Sequence, residues 1–133
     1  MAVWSIIAAP LLMSTDVAKM PAASKADLLN AEVLAVNSDA LGRQGWRIRN
    51  EGSLQVWLRS LMDGSVVVAL HSSGNTTTQV VTASLVEVGL GDTTAVTVRD
   101  LFVKEDLSPV AANGTVSATV EPHGVAMLRL SPH

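Results

Sequence analysis

The 133-residue chain has no cysteine, no tyrosine, a single phenylalanine and few charged residues. Each shortage removes a class of reading. Without thiols there is no disulfide frame, no thiolate zinc site and no cysteine nucleophile. Charged residues make up 16% of the chain, below the usual share of about a quarter. Apolar residues make up an ordinary 48%; it is the low charge that makes burial heavy for this size and suits part of the surface to face something else. The net charge of −3, with no Lys/Arg cluster, leaves no electrostatic footprint for nucleic acid.

A long hydrophobic run is also missing. The opening MAVWSIIAAPLLM falls short of the ~20 apolar residues a membrane span requires, and Pro10 interrupts it. A signal peptide begins with positive charge, and the first basic residue here is Lys19, after the run. The segment therefore reads as core, with no membrane partner. The length suits one domain with a real core and is too short for two full ones.

What is present changes period near residue 40. Met1 to Ala9 has the pattern of a buried helix, and Pro10 cannot continue it. Leu11-Leu12-Met13 is a short apolar run ended by Ser14-Thr15-Asp16, as in a parallel strand covered on both faces. Ala26, Leu29, Val33 and Val36 recur at three- and four-residue spacing and predict helix, in one piece or in two around Asn30. A single parallel strand needs neighbours at both edges, and no second strand of this type follows.

Asn37-Ser38-Asp39 with Gly42 and Gly45 is turn chemistry and marks the boundary between residues 1–40 and 41–133. Beyond it the period is two. Trp46 and Ile48 alternate with Arg47 and Arg49, and Leu54, Val56 and Leu58 alternate with Gln55, Trp57 and Arg59. Asp63-Gly64 centres a hairpin turn. Val66–Leu70, Thr77–Leu85, Ala95–Arg99, Thr115–Val120 and Val125–Leu130 supply further strands. Short strands at this spacing predict an antiparallel β-sandwich. Trp57, on the alternate face of its strand, covers either a second sheet or the first segment.

Catalytic signatures are scarce. His71, His123 and His133 do not stand at metal-ligand spacing. There is no G-x-S-x-G elbow, and Gly89-Leu90-Gly91 lacks the helix and lysine of a phosphate loop; no cofactor is implied. Asp16 stands at the C-terminal end of the expected strand, the end that faces the active site in α/β barrels. It either lines such a rim or forms a local cap or Asx turn. Arg99 beside Asp100, with Glu105 and Asp106 near, reads as a set of structural pairs. Asn75 and Asn113 lie in glycosylation tripeptides that matter only on a secreted route.

The residues do resemble a known family. The run from Trp4 to Asp16 is similar to the segment before and through the last barrel strand of α-galactosidases of glycoside hydrolase family 27. Leu28-Leu29-Asn30-Ala31-Glu32-Val33-Leu34-Ala35-Val36-Asn37 resembles that family's LLNKEVIAVNQD, and Leu41-Gly42-Arg43-Gln44-Gly45 its PLGxQG. Val56-Trp57, Val67-Val68-Ala69-Leu70, Val98-Arg99-Asp100-Leu101-Phe102 and Pro122-His123-Gly124-Val125 follow in the family's order. Two departures stand out. Ala40 replaces the proline of NQDPLG, and His71-Ser72-Ser73 replaces the end of VALxNR.

The resemblance implies the last helix-strand-helix piece of a (β/α)8 barrel followed by a C-terminal antiparallel β-sandwich, with Met1 internal to a longer chain. It implies retaining hydrolysis of terminal α-galactosides by two aspartates, whose carboxyl groups stand about 5 Å apart in such chemistry. Those motifs belong to earlier barrel strands and are absent here, so the chain by itself is expected to be inactive. Ser14 and Asp16 match positions near the pocket mouth and are the candidate substrate-binding residues. The implied partner is an α-galactoside oligosaccharide or glycoconjugate, and the implied location is extracellular or lysosomal/vacuolar. An α-N-acetylgalactosaminidase and a free-standing carbohydrate- or partner-binding sandwich are the other readings.

Overall fold

A computed structural model describes residues 1–133. Three short helices, α1 (Ala2–Ile6), α2 (Ala22–Leu28) and α3 (Ala31–Asn37), precede eight strands. These are β1 (Trp46–Glu51), β2 (Leu54–Ser60), β3 (Val66–Ser72), β4 (Gln79–Ser84), β5 (Ala95–Asp100), β6 (Glu105–Ala111), β7 (Thr115–Val120) and β8 (Val125–Pro132). Six strands form one sheet in the order β1-β2-β3-β8-β5-β6, and β4 pairs with β7 in a second. Every pairing is antiparallel, so the expected sandwich is present.

Its centre is β3, which is buried on both faces. Val66, Val68 and Leu70 join Val81, Ala83, Val116 and Val120 of the small sheet in the main core. Val67 and Ala69, pointing the other way, pack with Ala2, Ile6, Val33, Val36 and Met127 in a second core beneath the helices. The molecule therefore has three layers: α1 and α3, the six-stranded sheet, and the β4–β7 pair. Trp57 packs on the helical side, so it covers the first segment and not the second sheet.

Local chemistry explains the turns. Leu61 donates its N–H to Ser65 O at 2.9 Å, and Gly64 adopts φ +82° inside that loop. Asp63 Oδ1 accepts from Ser65 N at 3.0 Å and Oγ at 2.6 Å, completing the expected Asp-Gly hairpin. The helical stretch does break at Asn30. The Asn30 side chain accepts from the N–H groups of Glu32 and Val33, capping α3.

Four expectations need correction. Leu11–Met13 does not join a sheet, and Leu12 is 80% exposed. A parallel strand cannot ladder without neighbours, and none comes from residues 1–133. The first helix ends at Ile6, because Ala8 takes φ +53° and Pro10 keeps Ala9 out of helical geometry. A strand passed over by the sequence reading, β6, pairs with β5. Finally, the β1–β2 register shifts between Arg47 and Arg49. This bulge places Arg49 opposite Val56, on the small-sheet side, whereas Arg47 lies 5.6 Å from the Trp57 ring on the helical side.

Candidate functional site

Ser14 and Asp16 lie in the exposed segment between α1 and α2. Asp16 Oδ1 accepts from Ala18 N at 3.0 Å and Oδ2 meets Lys19 Nζ at 3.5 Å. The local Asx turn is thus present. Asp16 does not cap α2, whose N-cap is Pro21. Nothing in the segment brings a second carboxylate to Asp16 or Ser14. Around it the apolar surface is open: Leu12, Met13, Val17 and Leu29 are exposed. Met1, Trp4, Leu11, Met13, Leu28 and Leu34 line an apolar cavity of about 150 Å³.

The polar groups that do converge lie where the helices meet the sheet. Arg59, 1% exposed, donates through Nη1 to Ser5 O at 2.7 Å and Asn37 O at 3.3 Å. One guanidinium thus serves carbonyls at the C-terminal ends of two helices, where positive charge is favoured. Burial pulls its pKa down and the charge of Asp39 opposes that. Asn30 Nδ2 donates to Leu101 O at 2.8 Å, tying the α3 cap to the β5–β6 turn. Gly45 donates to Ile6 O at 2.8 Å. A Cβ there would meet Ile6 Cγ2 at 2.7 Å and Ile6 O at 2.8 Å, and Leu58 O closer still.

Beside them, Arg99 binds Glu32 through two 2.7 Å bonds and Asp106 through a 2.9 Å bond. The Arg99 bond holds the Glu32 carboxyl below its ordinary range. Arg129 reaches Asp63, whose carboxyl is lowered chiefly by the Ser65 hydroxyl. Asp100 Oδ1 accepts from Phe102 N and Val103 N, so it shapes a turn. Glu32, Asp39, Arg99 and Arg129 line a cavity of about 400 Å³ between α3 and the sheet. These carboxylates are committed to arginines or backbone amides, so the arrangement is a structural junction with no acid/base pair of its own.

Sequence reasoning gave Arg59 only as a member of the alternating strand, with no role, and missed Asn30 as a tether. The signal for Asn30 was its position immediately before the α3 period. No local signal marks Arg59, because its burial comes from helices more than 20 residues away. His71 Nδ1 is buried with no partner; burial, with His123 nearby, lowers the His71 pKa. Asn75 and Asn113 are both exposed.

The fold is an antiparallel sandwich of β-strands that carries a helical piece on its larger sheet. Residues 51–130 match the family described as alpha galactosidase C-terminal beta sandwich domain, and residues 1–39 match alpha galactosidase A. The chain belongs to the α-galactosidases of glycoside hydrolase family 27.

It is 37% identical over 131 residues to an α-galactosidase of Oryza sativa subsp. japonica, covering 98% of this chain and 30% of that protein. Identity is 35% over 133 residues to an α-N-acetylgalactosaminidase of Gallus gallus, covering 99% of this chain and 33% of the relative. Among solved structures, α-galactosidase I from Mortierella vinacea superposes with a TM-score of 0.89 at 26% identity, covering 97% of this chain and 33% of that one. A β-L-arabinopyranosidase from Geobacillus stearothermophilus superposes at 0.87 and 26%, covering 98% and 28%. The chain spans about a third of the length of the curated relatives it matches.

Proposed function

We propose that this chain supplies the C-terminal part of a retaining hydrolase of terminal α-galactosides, and that it turns over no glycoside alone. The observation that carries this reading is the open apolar surface around Leu12, Met13, Leu28 and Leu29, in the residues that match the α-galactosidase barrel. Apolar side chains at this density suit burial under further barrel elements. On this reading the Leu11–Met13 segment becomes a strand when neighbours flank it. Ser14 and Asp16 then stand at the rim of the sugar pocket, where barrel strands end. The same part occurs in relatives named as an α-N-acetylgalactosaminidase and a β-L-arabinopyranosidase, which supports placing the choice of sugar upstream of these residues.

A chimera tests the proposal. The chain replaces the matching C-terminal third of the rice α-galactosidase. The chimera is expected to hydrolyse an aryl α-galactoside, while the isolated chain does not. Asp16→Asn in the chimera is expected to raise KM several-fold, with a smaller effect on kcat. Turnover by the isolated chain, or a folded but inactive chimera, would sink the reading.

A further inference from the structure

His71 lies near the end of β3, opposite Gln55 of β2 and Val125 of β8. Directly opposed residues share a sheet face, so its ring has two uncharged neighbours on the helical side. Its Nδ1 is buried and has no hydrogen-bond partner. Gln55 does not supply one, because its Oε1 is turned to Trp57 Nε1 at 3.0 Å. The one titratable group that acts on His71 is His123, in the turn between β7 and β8.

That turn is strapped to β3. Ser72 N donates to Gly124 O at 3.1 Å, and His123 N donates to Gly74 O at 3.2 Å. Both bonds lie beyond His71 and Val125, where the β3–β8 ladder ends. His123 holds φ +57°, a region that favours glycine and asparagine over histidine. The turn is therefore kept in place against local backbone preference. Its only carboxylate, Glu121, accepts from Thr78 Oγ1 at 2.8 Å, in the loop after β3.

A neutral imidazole leaves one nitrogen without hydrogen, and buried Nδ1 suits that part. Imidazolium carries donors on both nitrogens. Its Nδ1–H would be buried without an acceptor, beside a second ring that also gains charge in acid. We propose that His71 and His123 form a proton-operated latch. The turn stays on β3 while both rings are neutral, and lifts when His71 takes a proton. Lifting parts the two rings and admits water to Nδ1. Burial and His123 both hold the His71 pKa below its ordinary 6.5, so the lifted form binds the proton better. It gains on the closed form as pH falls below about 6.5, by up to about tenfold per pH unit. The gain ends where His71 becomes protonated in the closed form too.

Amide hydrogen exchange on the full chain between about pH 7.5 and pH 5, corrected for intrinsic rates, tests the latch together with the His71 ring titration. Protection of the Ser72 and His123 amides should fall about tenfold or more in acid. Protection at Val68 and Leu128, paired at the centre of the ladder, should change much less. His71→Leu should make the protection of Ser72 and His123 insensitive to pH. His123→Asn keeps a residue that tolerates positive φ and removes the second charge, so the acid loss should shrink and His71 should titrate nearer its ordinary value. A purely structural role would shift protection equally at both pH values. Unchanged protection of Ser72 and His123 in acid overturns the latch, as does an acid loss that survives in folded His71→Leu. Should either variant fail to fold, the exchange and ring titration of the unaltered chain decide.

Discussion

Replacing Gly45 with alanine isolates the contact that seats α1 on the sandwich. Gly45 has no positive φ, so the change adds a methyl without backbone strain. That methyl would overlap the Ile6 side chain and carbonyl and the Leu58 carbonyl. Two of these three neighbours are backbone, which cannot rotate away. Overpacking of this kind costs about 1–3 kcal/mol. Pushing Gly45 away also weakens its 2.8 Å bond to Ile6 O, for about 0.5–1.5 kcal/mol more. The expected loss is thus about 2–4 kcal/mol, a large part of the ~5–15 kcal/mol that holds a domain folded. Urea unfolding followed by circular dichroism and tryptophan fluorescence measures it. Gly52→Ala is the comparison: that residue has φ +58° and open space around it, so it should lose only about 1–2 kcal/mol. If Gly45→Ala proves no more damaging than Gly52→Ala, the close approach does not organise the junction.

Asn30→Asp keeps the oxygen that caps α3 but sets a carboxylate oxygen against the buried Leu101 carbonyl. It should cost about 3 kcal/mol at neutral pH, more than Asn30→Ala; equal losses in urea titrations would argue against the tether. Stability should be level near neutral pH and fall in acid. His71, lowered by burial, contributes above its unfolded value of about 6.5, and that contribution is lost as pH falls toward the depressed folded value. Glu32 and Asp63, lowered by Arg99 and by Ser65, contribute above the ordinary carboxylate range and are lost as pH falls through their folded values. Thermal melts from pH 8 to 3 check the sequence, and stability rising from pH 7 to 5 would contradict it.

The sandwich was legible because most of its strands keep one side in the core, so burial prints a period of two on residues such as Leu54, Val56 and Leu58. Strand β6 left no such print. It is an edge strand, exposed except at Val110, and carries Pro109 where a central strand could not. Leu11–Met13 shows the opposite error. Its composition suits a strand covered on both faces, but a ladder needs neighbouring strands and residues 1–133 place none beside it. At the junction, the sequence showed Arg99 among structural pairs; the Asp106 bond is one of them, whereas the Glu32 bonds reach a helix the local pattern did not connect to it. Arg59 was invisible, since alternation describes one sheet and cannot say that a helix covers the other side. For Asp16 the Asx turn was legible in the residue type. The proposed rim role leaves no mark in its local contacts, which are with Ala18 and Lys19 alone.

The two-faced burial of β3 has a mechanical meaning. Val67 and Ala69 belong to the same strand as Val66, Val68 and Leu70, yet they form the floor on which α1 and α3 rest. The helical piece and the sandwich thus share a strand as a common wall, and Arg59 bolts both helix ends to the neighbouring strand. Joined parts swing freely where their contact is small and polar; here it is apolar and continuous. Any larger assembly built on these helices inherits a rigid buttress in place of a hinge. Proteolysis at the turn near residue 40 would cut the chain without freeing either half.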